Sequence, residues 1–134
     1  MADKKITQLI QQLENHLECW KQFNQFVVLA RGKKFGPEDE NQFLEVKSLL
    51  IQELELVLSN IESGTPPREE VHNLIAGAPS LRFLAEMNDS ASRVLESQWH
   101  KIYIGWLAVL GQLKVRQRQV EAKSMFGSMF EKGK

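Results

Sequence analysis

The stretch WHKIYIGWLAVLGQL, running from Trp99 to Leu113, decides how this chain folds. From Ile102 to Leu110 no charged or strongly polar side chain interrupts it. At helical spacing Leu95, Trp99, Ile102, Trp106, Val109 and Leu113 share one face, which Tyr103, Leu107 and Leu110 widen. The opposite side is not properly polar either, because Ile104, Ala108, Gly111 and Val115 recur there at three- and four-residue steps. A helix apolar on two sides is either central in a bundle or shared between subunits. Gly105, Ala108 and Gly111 sharpen the point. Glycine inside a helix costs about 1 kcal/mol relative to alanine, so two within seven positions call for close approach of another backbone, from this chain or from a second copy.

Outward from this segment the same periodicity extends in both directions. Asn88, Asp89 and Ser90 offer capping side chains for its start, and the pattern carries it to about Lys123. A continuous helix from Ser80 fits the pattern as well. Upstream, Ile6, Leu9, Ile10, Leu13, Leu17, Trp20, Phe23 and Val27 predict a first long helix from near Asp3, with Gly32 placed to end it in the left-handed conformation. Gly36-Pro37-Glu38-Asp39-Glu40 starts a second, which Phe43, Val46, Leu50, Leu54, Val57 and Ile61 carry to Gly64. Two long helices joined by a short loop lie antiparallel. Between the second and third, Val71, Leu74 and Ile75 predict a short helix, and Leu81, Phe83 and Leu84 another turn. The expected fold is therefore all-α: an elongated antiparallel bundle of three long helices, with one or two short helices between the second and third. Residues 1–123 form the bundle domain in this reading, and 124–134 a C-terminal tail.

The 134 residues suffice for one domain, and a hydrophobic content of 43% suffices for its core. Charges balance, with 17 basic and 17 acidic side chains, so no global field draws the chain to nucleic acid. The balance hides an asymmetry. Residues 31–97 hold 7 basic and 12 acidic groups, whereas residues 98–134 hold 7 basic and 2 acidic ones. A single cysteine, Cys19, and an N-terminus without a signal-like apolar core point to a cytoplasmic location. The apolar run is also shorter than the roughly 17 to 25 residues that cross a bilayer.

Chemical constellations are sparse. His16 and Cys19 stand one helical turn apart, but a structural zinc site needs four ligands and no second pair accompanies them. Glu69 and His72 form half of a di-iron helix motif whose other half is missing. The loop Arg31-Gly32-Lys33-Lys34-Phe35-Gly36 lacks the spacing of a phosphate-binding loop. No metal, no cofactor and no catalytic residue is assigned, and the chain reads as a non-enzyme.

The strongest functional signal lies at the C-terminal end. Lys114, Arg116, Arg118 and Lys123 lead into two Ser-Met-Phe units that set Met125 with Met129 and Phe126 with Phe130 at i, i+4. Methionine and phenylalanine adapt to varied grooves, and a basic approach also permits weak peripheral contact with an anionic membrane. The sequence thus predicts a protein–protein interaction module, an adaptor, chaperone or assembly subunit able to form a homodimer. Its partner-binding residues would be Trp99, Ile104, Ala108, Gly111, Val115, Met125, Phe126, Met129 and Phe130. The alternative is a bundle that holds an apolar small molecule or cofactor in a pocket lined by Trp99, Tyr103 and Trp106.

Overall fold

A computed structural model describes residues 2–61 and 65–132, with side chains at 4–61 and 65–125. The described chain is all-helical and contains no strand. Its five helices are α1 (Ala2–Arg31), α2 (Pro37–Asn60), α3 (Arg68–Ala76), α4 (Leu81–Glu86) and α5 (Asp89–Lys132).

The apolar stripes become the core. Leu13, Trp20 and Phe23 of α1, Phe43, Leu50 and Leu54 of α2, and Trp106 of α5 are all sealed from solvent. Side-chain contacts run in opposing order along paired helices. Between α1 and α5 they join Thr7 to Gln117, Trp20 to Trp99 and Arg31 to Glu96. Between α1 and α2 they join His16 to Glu53 and Phe23 to Phe43.

Of the two places the sequence leaves open for the Trp99–Leu113 segment, central in the bundle or shared between subunits, the first does not hold. The Trp99–Leu113 segment does not lie at the centre; α1 does, packing against α2, α4 and α5, while α5 packs against α1 and α3. The first helix has the more continuous buried stripe, from Ile6 to Ala30. That leaves the second apolar side of α5 facing outward.

Helix ends also differ in detail from the sequence reading. Gly32 does not adopt the left-handed conformation; Lys33 does, at φ 59°, while the Gly32 N–H donates to the Val28 carbonyl and the Lys33 N–H to that of Ala30. The second helix ends at Asn60 rather than at Gly64, which lies outside the described residues. Met87 is extended and breaks the chain between α4 and α5, so no continuous helix runs from Ser80. The Asn88 side chain then accepts the Ala91 N–H at 2.7 Å and caps α5. At its far end α5 continues to Lys132, past Lys123 where the apolar pattern fades.

The acids at the start of α2 divide their tasks. Asp39 accepts the Gly36 N–H at 2.9 Å, which closes the helix start. Glu40 instead reaches across to accept the Leu81 and Arg82 N–H groups at 3.1 and 2.9 Å, and Ser80 accepts that of Phe83. Six residues make a weak helix by themselves, so α4 owes its place to these bonds and to the burial of Leu81 and Leu84.

Candidate interaction surface

The inner side of α5 is fastened by aromatic and polar contacts. Trp106 is fully buried and meets the His16 ring edge-on, with centroids 5.2 Å apart. His16, equally buried, accepts the indole N–H of Trp20 at 3.0 Å and faces Glu53 at 3.4 Å through its other nitrogen. An indole N–H only donates, so His16 Nε2 must be the acceptor, and the ring proton sits on Nδ1 toward the Glu53 carboxylate. Burial pulls the His16 pKa below its ordinary value, and the Glu53 contact opposes this only in part. Burial also pushes the Cys19 thiol up to about 12, aided by Glu53 and Glu18. A thiol held protonated in this way is a poor nucleophile. Among the described residues no group of three or more His, Cys, Asp or Glu gathers to hold a metal ion.

Trp99 also belongs to this inner fastening. It is half-buried, donates its indole N–H to the Trp20 carbonyl at 2.9 Å, and stacks on Tyr103 at 4.8 Å with planes 10° apart. The three aromatics suggested for a ligand pocket are thus placed differently: Trp106 in the core, Trp99 and Tyr103 flat against each other at its edge. A cleft of about 220 Å³ lies elsewhere, lined by Leu9, Asn60, Ile61, Val109 and their neighbours.

The outer side of α5 is different. Ile104 is 49% exposed, Leu107 42% and Val115 54%, and Ala108 and Gly111 are exposed between them. The small pair leaves a shallow depression lined by Ala108, Gly111, Gln112 and Val115. Four of the sequence-selected residues, Ile104, Ala108, Gly111 and Val115, therefore form one continuous outward strip. Each stands two positions from a buried residue, about 200° round the helix. Met125 lies further along, 68% exposed, on a segment from Glu121 to Met125 that is exposed throughout. The side chains of Phe126, Met129 and Phe130 lie outside the described residues.

The two glycines part company. A Cβ on Gly105 would stand 3.0 Å from the Pro66 ring, so close approach within this chain accounts for it. A Cβ on Gly111 would meet nothing within 4 Å.

Sequence reasoning missed Glu53 and Glu40. Each is one acid among many on an amphipathic helix, and only the helix pairing reveals that Glu53 faces His16. Glu96 and His100, spaced to pair along α5, do not pair; Glu96 binds Arg31 of α1.

No helix among the described residues is long and apolar enough to cross a membrane. Comparison with protein-family models, with curated proteins and with solved structures finds no match for this chain.

Proposed function

We propose that this chain is a non-catalytic protein–protein interaction module of the cytoplasm, an adaptor, chaperone or assembly subunit. In this reading it is an elongated antiparallel bundle of three long helices that presents the outer face of α5 and its Met/Phe C-terminal end to a partner. The observation that carries the reading is the exposed apolar strip through Ile104, Leu107 and Val115. Single exposed apolar residues are ordinary, but a contiguous strip along a helix that is well anchored on its other side marks a docking face. The buried His16 and the protonated Cys19 thiol support a structural rather than a chemical role for the reactive side chains.

Affinity capture from source lysate, comparing the native chain with an Ile104→Asp/Val115→Asp variant, tests this. Proteins retained by the native chain and lost by the folded variant are the expected result. Equal retention by both, or none by either, counts against the α5 face.

A further inference from the structure

Resting on that reading, we propose that the occupant of the outer face of α5 is α5 of a second copy of this chain, laid antiparallel and crossing between Ala108 and Gly111. The spacing is the first argument. From Val94 to Met125 the outward strip advances by alternating steps of three and four, through Ile104, Ala108, Gly111 and Val115, and its members are exposed along the whole length. Alternation of this kind is the seam of a two-stranded coiled coil. The strip also reads alike in both directions about its midpoint. In an antiparallel pair Ala108 meets Gly111, Ile104 meets Val115, and Val94 meets Met125. Small residues face each other at the crossing and large ones on either side, the self-complementarity that a two-fold interface requires.

Gly111 supplies a second argument. It carries the penalty of glycine in a helix with open space where its side chain would be, so nothing among the described residues compensates. A second backbone at the crossing does.

Charge supplies a third. The C-terminal half of α5 belongs to the basic end of the chain, and antiparallel pairing lays it over the first half of α5 in the other copy, where Asp89 and Glu96 balance Arg93 and Lys101. Glu121 comes opposite His100, and Lys114 beside Leu107. One kind of like-charge meeting occurs in the seam, Lys101 with Arg118, and the two-fold makes it twice. Lys101 already holds Glu70 at 3.3 Å, which places a carboxylate where the arginine arrives. Parallel pairing would instead stack the two basic halves.

The last argument is length. Where Thr7 bonds Gln117, α1 has only Ala2–Lys5 left beyond the neighbouring residue, while α5 continues to Lys132. The segment from Glu121 to Met125 is exposed throughout and runs on past the start of α1, and the start of α5 in the second copy reaches it.

Light scattering with a Val94→Cys/Met125→Cys variant tests the proposal. These positions are about 46 Å apart along one rigid helix, so a disulfide between them must join two chains. Native Cys19 is half-buried with its thiol pKa pushed up, and the single variants and the native chain, which all keep it, control for any bond it makes. We expect the native protein to have twice the chain mass. Mild oxidation should convert the double variant to covalent dimer, with little from either single variant, and Gly111→Leu should weaken association at least tenfold. A native protein of single-chain mass at high concentration overturns the proposal. Efficient crosslinking of the single variants overturns the antiparallel register. If Gly111→Leu does not fold, the cysteine pair decides alone. A monomer that still captures a partner through Ile104 and Val115 rejects only the self-association; a monomer that captures nothing rejects the interaction reading as well.

Discussion

Zero exposure and a donor aimed at one ring nitrogen leave His16 a single comfortable charge state. Protonating Nε2 would set an N–H against the Trp20 N–H, so acid must break that bond or unfold the chain. The folded pKa lies below the ordinary 6.5, so below that value the unfolded chain binds a proton that the folded chain refuses. Stability from this group is full above pH 6.5 and is lost as pH falls toward the folded value. Urea melts across this range should decline for the native chain and decline less for His16→Gln. The variant keeps an acceptor for Trp20 but does not titrate, and at neutral pH it should be about 1 to 3 kcal/mol less stable, the usual penalty for disturbing a buried hydrogen bond. An identical pH slope in both proteins would remove His16 as the cause. Lys33 gives a second single-residue expectation. A non-glycine residue in the left-handed region costs about 1 kcal/mol, and Lys33 is exposed with its side chain in solvent. Lys33→Gly should therefore raise stability by about 0.5 to 1 kcal/mol in the same assay, although the neighbouring Gly32 is the residue that sequence alone selects for this role.

At the scale of elements, α5 is the instructive case, because its two glycines look equivalent in sequence and are not. Pro66 is buried and followed by Pro67, so the ring that faces Gly105 is held by a stiff segment and cannot retreat. Gly105→Ala should lose about 1 kcal/mol despite the better helix propensity of alanine, and a Pro66→Ala change should restore much of it. A double-mutant cycle reads that coupling directly, and additive effects would refute the contact. Gly111→Ala, melted in dilute protein, should gain about 1 kcal/mol. The same contrast marks how far the sequence could be read. The helices and their buried stripes follow from periodicity, because Leu13, Trp20, Phe43 and Trp106 recur at the spacing that one helical face demands. The exposed strip of α5 was legible too, since Ile104, Ala108, Gly111 and Val115 keep that spacing on the other side. Which helix is central was not, because periodicity reports a face and not the number of neighbours that cover it. Nor were Glu40 and Glu53, whose partners lie far along the chain, or the role of Trp99, whose indole N–H is taken by the Trp20 carbonyl.

Across the whole molecule, α1 collects the packing, α2 and α4 close one flank, and α5 runs along another and outreaches them. A chain arranged in this way should separate folding from association when it is shortened. Removing residues 124–134 deletes the exposed Met125 and no buried side chain among those described, so the melting free energy of dilute protein should change by less than about 0.5 kcal/mol. A larger loss would mean that the C-terminal segment supports the bundle instead of a partner. Self-association should weaken in the shortened chain, because Met125 is the residue that meets Val94 at each end of the proposed seam. Added salt should leave it unchanged or strengthen it slightly, since a basic half faces a balanced one and the closest charges across the seam, Lys101 and Arg118, repel until salt screens them. Sedimentation equilibrium of both chains at low and high salt measures the two effects together. Liposome co-sedimentation separates a membrane role: if anionic vesicles retain the full chain and not the shortened one, while both remain monomers, the Met/Phe segment serves a lipid surface and the outer face of α5 is left without its second copy.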